Sequence, residues 1–175
     1  MVVRKCLSIT GPALFFVTTT VVDWLPIFAI DDIAQEITQQ ICETTAQFQV
    51  SVCAYVIMPS HMHALFGFRE ATKLSEFMKS LKRESARRIR DKLPVEFSAR
   101  LFRDGGYSLW KARFDDIVVW SGQQFHINVE YIHNNPVRAG LVQKAEDYRH
   151  SSARQWLSDE SGDISVEKKW SWTGS

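Results

Sequence analysis

The chain alternates between short segments rich in β-branched and aromatic residues and longer segments whose apolar residues recur every three or four positions. The first kind is typical of strands and the second of amphipathic helices. Asp31 or Asp32 is expected to cap the first long helix, and Ser121 the last. The pattern predicts strands at residues 13–20, 50–57, 62–68 and 114–119, and helices at residues 31–48, 72–90 and 122–134.

The order of these elements indicates the architecture of the domain. Strand, helix, strand, strand, helix and strand is the order of a ferredoxin-like split βαβ sandwich, an α+β fold with an antiparallel sheet. One helix is added after the last strand. Pro136 suits the first turn of a further short helix that Asn135 caps. Residues 93–106, which contain Pro94 and a glycine pair, are typical of a loop.

Composition and length narrow the class of protein. A chain of 175 residues with a net charge of +1 and 45% hydrophobic residues is neither disordered nor uniformly basic. We expect a domain at residues 1–157 and a polar tail at residues 158–175, whose Trp170 and Trp172 are suited to dock back. Apolar runs too short for a membrane span, and cysteines without a disulfide framework, predict a cytoplasmic protein in a reducing compartment.

Two histidines open the third predicted strand and flank a single apolar residue. Side chains two positions apart on a strand point the same way, so His61 and His63 offer two imidazoles to one point. Met62, Ala64 and Phe66 then face the opposite side as a packing surface. Such a pair can hold a divalent metal ion. The alternative role is structural, because strand histidines are often partly buried and satisfied by ordinary hydrogen bonds.

The last long helix carries a second group of polar side chains. Phe125, Val129 and Ile132 form its apolar stripe, whereas Tyr131 and Asn135 are four positions apart and project together from another face. A phenol becomes an effective nucleophile when a nearby positive charge, a metal ion or a base favours the phenolate. The structural alternatives are a tyrosine at the edge of the core and an asparagine that caps a helix.

Two imidazoles and one amide oxygen leave coordination positions open, as a catalytic metal site requires if the metal is to polarise a phosphate oxygen. Imidazole ligands favour manganese or another first-row metal, whereas phosphate chemistry commonly uses magnesium. The expected cofactor is therefore a divalent metal ion, either magnesium or manganese.

The helix at residues 72–90 carries an excess of positive charge on its polar face, against only Glu76 and Glu84. A charge run of this kind is usually a solvated face. Here the excess has one sign in a nearly neutral protein and directly follows the histidine strand, which favours a track for a nucleic-acid backbone. The residues predicted to form it are Lys79, Lys82, Arg83 and Arg87, and Arg103, Lys111, Arg113 and Arg138 are expected to extend it.

Three blocks of sequence carry a resemblance to a known family. They are YVIMPSHMH at residues 55–63, WKARFDDIV at residues 110–118, and YIHNNPVRAGLV at residues 131–142, which DYRHSS at residues 147–152 continues. In this order and at this separation, they resemble the HUH-type single-tyrosine transposases, and within them the REP-associated tyrosine transposases of bacteria.

The resemblance implies a role for each site residue. His61 and His63 would bind the divalent cation, Tyr131 would attack a phosphodiester bond in single-stranded DNA, and Asn135 would complete the metal site, where many insertion-sequence members have glutamine. It implies cleavage near hairpins such as repetitive extragenic palindromes, through a covalent 5′-phosphotyrosine and without a nucleotide cofactor. The protein expected from it is a monomer or a homodimer associated with the bacterial nucleoid.

Two other functions remain open on these residues. One is a regulator that binds DNA hairpins on the same fold without cleaving them. The other is a small metal-dependent hydrolase in which Tyr131 only orients the substrate. A transposase forms a protein–DNA adduct that survives denaturation, whereas a hydrolase turns over repeatedly on a small substrate.

Overall fold

The structure, a computed structural model, describes residues 9–103, 105–158 and 160–171, without the side chain of Arg103. Two short 3₁₀ turns, Val22–Trp24 and Ile27–Ala29, connect the first strand to the first helix. The strands and α-helices, in chain order, are β1 (Ala13–Thr20), α1 (Asp31–Phe48), β2 (Ser51–Met58), β3 (His61–Phe68), α2 (Leu74–Ile89), α3 (Val95–Leu101), β4 (Phe102–Arg103), β5 (Gly106–Tyr107), β6 (Asp115–Val119), α4 (Gly122–Arg138) and α5 (Ala153–Ser158).

Four strands form the main sheet in the order β2-β3-β1-β6, and each neighbouring pair is antiparallel. This is the order of the ferredoxin-like sandwich, with α4 added after the last strand, so the predicted fold is confirmed. In the register of β1 with β3, Thr18 lies opposite His63 and Thr20 lies opposite His61. The two histidines therefore lie where the start of β3 meets the end of β1.

Both faces of the sheet are covered, because side chains alternate along each strand. One face, which includes Phe15, Val17 and Phe66, packs against α1 and α2. The opposite face includes Leu14 and Leu65 and packs against α4 and the C-terminal part of the chain. Helix α4 lies mainly on β2 and β3. The same face is consequently more open over β1 and β6 than over β2 and β3.

The predicted helix caps have different outcomes. Ser121 caps α4 as expected, since its hydroxyl accepts a hydrogen bond from the Gln124 backbone N–H at 3.2 Å. The prediction that Asp31 or Asp32 caps α1 is wrong, because both residues lie inside its first turn. The Asp31 carboxylate instead contacts Arg149 at 2.5 Å and the His150 Nε2 atom at 2.8 Å.

The predicted helix break before Pro136 is also wrong. Helix α4 continues through Pro136 to Arg138, so Asn135 is an interior residue and not a cap. A proline inside a helix lacks one backbone N–H and crowds the preceding turn, which is normally unfavourable. Pro136 is buried on the same helical stripe as Val129 and Ile132. Packing of this stripe offsets the cost in the last turn of the helix.

The stretch predicted as a loop at residues 93–106 is ordered in part. Pro94 precedes α3, and the buried Leu101 anchors the end of that helix in the core. Strands β4 and β5 then pair as a two-stranded antiparallel sheet. The sequence pattern missed these elements because α3 is only seven residues long and buries a single side chain.

The described part of the C-terminal tail packs on the domain. Ile164 is buried, the Glu167 backbone N–H donates to the Val52 carbonyl, and the Trp170 ring lies against Gly67. The predicted docking of Trp170 is confirmed, while Trp172 lies outside the described residues. The boundary at residue 157 stays a prediction. None of the helices in the described parts of the chain combines the length and the apolar character that a membrane crossing needs.

Candidate active site

The paired histidines form the centre of the site. Their ring centroids lie 4.8 Å apart with the planes nearly perpendicular. The Nδ1 atom of His63 lies 2.7 Å from the Thr18 hydroxyl, and the Nδ1 atom of His61 lies 3.3 Å from the Ser60 hydroxyl. When Nδ1 carries the proton and donates it to the hydroxyl oxygen, Nε2 presents its lone pair to a ligand. Hydroxyl groups on Nδ1 orient the imidazoles as metal sites commonly require.

Burial keeps the two imidazoles neutral. His63 is 7% exposed, and Phe16 stacks on it at a centroid distance of 5.5 Å. Desolvation, with a smaller contribution from charge on His61, lowers the pKa of His63 to about 4. Burial also lowers the pKa of His61. Neutral imidazole is the form that binds a metal ion, so both residues are ready for coordination at neutral pH.

Tyr131 approaches the same histidines from α4. Its ring centroid lies 5.5 Å from that of His63 and 5.8 Å from that of Phe16, and the residue is 38% exposed. The Arg138 guanidinium carbon lies 5.6 Å from the centroid of the tyrosine ring. The arrangement therefore combines an accessible phenol, a positive charge and a pair of imidazoles.

Asn135 lies one helical turn beyond Tyr131. Its side-chain Nδ2 donates a hydrogen bond to the Tyr131 carbonyl at 2.9 Å, which leaves Oδ1 as the acceptor end of the amide. Among the described residues, no group of three or more His, Cys, Asp and Glu side chains could hold a metal ion. A metal ion at His61 and His63 therefore needs a third ligand from another kind of side chain, and an amide oxygen such as Oδ1 is of the suitable type.

The predicted basic residues of α2 lie together on another surface. Lys79, Lys82, Arg83 and Arg87 line a cavity of about 620 Å³ between α2 and residues 107–114. Trp110 and Phe114 contribute apolar lining to the same cavity. Because α2 packs on the face of the sheet opposite α4, these cations do not lie on the face that carries Tyr131.

Contacts within the α2 surface differ from one cation to the next. The Lys82 ammonium donates to the carbonyls of Lys111 at 2.6 Å and Ala112 at 3.0 Å. Arg83 and Arg87 both pair with Glu84, and Arg87 is well exposed. Lys82 thus holds the neighbouring segment in place, whereas Arg87 offers its guanidinium to solvent.

The residues predicted to extend this surface lie in different places. Lys111 and Arg113 lie in the connection that leads to β6, each between two residues that line the cavity. Arg138 lies beside Tyr131 on α4. The side chain of Arg103 lies outside the described residues. Arg138 therefore belongs to the candidate active site rather than to the α2 surface.

Two residues near the histidines, Thr18 and Trp24, were missed from the sequence, whereas Lys111 is predicted there only as part of the basic track. Thr18 contacts His63 through the register of β1 with β3, which a single sequence does not predict. Trp24 and Lys111 form a pair beside His61, with the Lys111 ammonium 4.4 Å from the Trp24 ring centroid. The sequence signal for Trp24 is its place in a short connection after a strand, since connecting segments often carry functional residues.

Comparison with known proteins finds a family model that matches the sequence. The sequence matches the model of a family described as "Transposase IS200 like" over residues 26–135, a range that contains His61, His63, Tyr131 and Asn135. The search of curated proteins found no match.

Two solved structures resemble the fold. A structure of a REP-associated tyrosine transposase bound to a REP hairpin has a TM-score of 0.71 and 19% identity, and the alignment covers 100% of this chain and 98% of that chain. A crystal structure of a candidate transposase from Deinococcus radiodurans R1 has a TM-score of 0.50 and 20% identity, with coverage of 75% of this chain and 97% of that chain.

Proposed function

The protein belongs to the IS200-like transposase family, and on that premise we propose that it cleaves and rejoins single-stranded DNA with Tyr131 as the nucleophile. Membership of a transposase family implies DNA cleavage and strand transfer. The observation that carries the tyrosine mechanism is the approach of Tyr131 to His63, 5.5 Å between ring centroids, with the Arg138 cation on the tyrosine ring.

The proposed reaction proceeds in two transfers of one phosphoryl group. The Tyr131 oxygen attacks phosphorus and its proton passes to water, while the bond from phosphorus to the 3′-oxygen breaks and that oxygen takes up a proton from water. The products are a 5′-phosphotyrosine and a free 3′-hydroxyl. A 3′-hydroxyl then attacks the adduct and releases Tyr131, so the number of phosphoester bonds is conserved and no nucleotide cofactor is consumed.

A divalent cation, magnesium or manganese, is the proposed cofactor. His61 and His63 would hold it through Nε2, with Asn135 Oδ1 as the third protein ligand. The neutral state of both imidazoles and the hydroxyl partners on their Nδ1 atoms support this assignment. When bound, such an ion polarises a phosphate oxygen and favours attack at phosphorus. Thr18 and Ser60 orient the two rings for that purpose.

Single-stranded DNA that flanks a hairpin is the proposed substrate. Arg138 lies where it can contact the phosphate near Tyr131. The α2 cations and the aromatic lining of their cavity offer a second contact region suited to phosphates and unpaired bases. The structurally similar REP-associated transposase was solved with a REP hairpin, which supports the hairpin as the partner proposed here.

A labelled hairpin tests the proposal. The substrate is an oligonucleotide from a palindrome beside the gene, with single-stranded flanks and a label at either the 5′ or the 3′ end, incubated with Mn²⁺ and resolved on a denaturing gel. The proposal predicts that only the 3′ label migrates with protein and that the released 5′-labelled fragment can be extended by a polymerase. Free fragments without adduct would favour the hydrolase, and binding without cleavage would favour the regulator.

A further inference from the structure

Trp24 ends a row of four aromatic rings that begins at Tyr131. Successive ring centroids are 5.5 Å apart from Tyr131 to His63, 4.8 Å from His63 to His61, and 5.7 Å from His61 to Trp24. The paired imidazoles therefore lie between the tyrosine and the tryptophan. Trp24 is 56% exposed, which is unusual for the largest apolar side chain.

The backbone that holds Trp24 is strained. Asp23 and Trp24 have φ values of 54° and 55°, so two successive residues with a Cβ atom adopt the left-handed region. This conformation costs free energy for residues other than glycine and is retained where the surroundings determine it, often at functional sites. Burial of the ring does not explain this strain, because the Trp24 side chain points largely into solvent.

The surrounding chain holds this conformation from two sides. The Val21 backbone N–H donates to the Ser60 carbonyl, and the Val22 N–H donates to the Leu109 carbonyl. Leu25, directly after Trp24, is buried in the core. The segment is thus tied both to the residue before His61 and to the strand-like connection that carries Lys111. These contacts keep the exposed ring at a fixed position beside the histidine pair.

Lys111 adds a cation to the same position. Its ammonium lies 4.4 Å from the Trp24 ring centroid, and its backbone N–H donates to the Thr20 carbonyl. An exposed aromatic ring with a cation beside it has the chemistry that recognises an unpaired nucleotide, since the base stacks on the ring and the cation meets a phosphate. A metal site at the two histidines would need neither an exposed aromatic ring nor a cation beside it.

We propose that Trp24 is a stacking platform for one unpaired base of the DNA strand, a few nucleotides at most from the phosphate that Tyr131 attacks, with Lys111 on the adjoining backbone. This inference rests on the proposed function and adds a binding site to it. The base lies on the side of the ring turned away from Lys111. Stacking accepts any base, so the platform positions the strand without reading its sequence.

Substitution by glycine tests the ring without adding backbone strain, because glycine adopts positive φ freely. Trp24→Gly is compared with Trp24→Phe, which keeps a smaller ring, and with Trp120→Gly as the matched control. Trp120 is 65% exposed and follows the end of β6 that pairs with Leu14, at the far end of the sheet from His61. Thermal melting of each variant accompanies the binding measurements.

The probes are the hairpin oligonucleotide described above and a series in which each flanking nucleotide in turn is abasic. Wild-type protein is expected to lose about 5-fold to 150-fold in affinity at one abasic position, the range typical of one stacked base. Trp24→Gly should bind the intact strand as weakly as the wild type binds the strand with that abasic position. The variant should lose no further affinity when the same position is abasic. Trp24→Phe should recover part of the affinity, and Trp120→Gly should resemble wild type.

Equal affinity of wild type and Trp24→Gly for every probe would overturn the platform. A wild-type protein that loses the same affinity at every abasic position would overturn it as well. An adduct formed by the wild type in those cases leaves the proposed cleavage standing. Conversely, a loss confined to one position together with no adduct in the wild type supports the platform and contradicts the cleavage. The two proposals therefore fail separately.

Discussion

The rings of Tyr131 and His63 meet edge to face with centroids 5.5 Å apart, across the interface between α4 and the sheet. Phe125, Val129 and Ile132 pack α4 on β2 and β3, so the buried core of the domain sets this distance. A single chain thus brings its own tyrosine to its own histidine pair. The expected monomer or homodimer stays a prediction, while the site itself is assembled within one copy.

Metal binding is predicted to depend on both histidines. His61→Ala or His63→Ala should lower the affinity for Mn²⁺ by at least about tenfold, because the remaining imidazole and a neutral amide hold a cation weakly. Isothermal titration with Mn²⁺ measures this without any DNA. His126→Ala, which removes an exposed histidine on α4, is the matched control. Unchanged affinity in both site variants would show that the histidine pair is not the metal site.

Asn135 is predicted to have a smaller effect than either histidine. Asn135→Ala removes one neutral oxygen, whereas Asn135→Asp replaces it with a charged oxygen that divalent cations prefer. The same titration should therefore show modest weakening with alanine and tighter binding with aspartate. An aspartate variant with the affinity of the alanine variant would place Asn135 outside the metal site.

Strand periodicity and helix spacing predict most of the residues of the candidate site. The alternation around Met62 predicted that His61 and His63 share a face, and the spacing of four predicted that Tyr131 and Asn135 share one. Both pairs are found as predicted, as is the fold that brings them together. These features depend only on local geometry and on the direction in which apolar side chains are buried.

Two features depend on tertiary contacts and do not follow from local sequence patterns: the backbone conformation at Trp24 and the course of α4 through Pro136. The left-handed backbone at Trp24 is held by hydrogen bonds to Ser60 and Leu109, which are distant in sequence. Local propensity predicts that a helix starts at Pro136, because proline is unfavourable inside a helix. In the structure, burial of its ring on the apolar stripe outweighs that propensity. Long-range packing thus decided each case against the local signal.

The α2 cations are predicted to contact phosphates without reading sequence. Arg87→Ala should reduce the magnitude of the slope of log affinity against log salt by roughly 0.7 for a single strand or 0.9 for duplex. Lys73→Ala, directly before α2 and outside the cavity lining, serves as the control. An unchanged slope for Arg87→Ala on a hairpin and on an unstructured strand would make this surface a solvated helix face.

Lys82 is predicted to stabilise the fold in addition to binding DNA. Because its ammonium holds the Lys111 and Ala112 carbonyls, Lys82→Ala should lower the melting temperature as well as the DNA affinity. Arg87→Ala should leave the melting temperature close to that of wild type. Differential scanning calorimetry without DNA checks both statements. Equal melting temperatures for the two variants would contradict the structural role of Lys82.

Stability is predicted to fall in mild acid because of His133. Burial against Ser152 and Trp156 lowers its pKa from 6.5 to about 4, so the unfolded chain binds the proton first as the pH falls. The free energy of unfolding should decrease between pH 6.5 and about 4, by up to about 1.4 kcal/mol per pH unit for this group. Urea denaturation of wild type and His133→Gln at pH 7.5 and 4.5 measures the difference. An equal acid loss in the two proteins would contradict this assignment.

The most direct test of the central claim is the identity of the tyrosine that carries DNA. After incubation of the protein with the hairpin oligonucleotide and Mn²⁺, nuclease trimming and proteolysis should leave a nucleotide on the peptide that contains Tyr131. Tyr131→Phe should keep its melting temperature and hairpin affinity and form no adduct, because only the attacking oxygen is removed. Tyr148→Phe, which loses a hydroxyl bound to the Ile57 carbonyl, should still form the adduct. A nucleotide found on Tyr55, Tyr107 or Tyr148, or an undiminished adduct in Tyr131→Phe, would contradict the account.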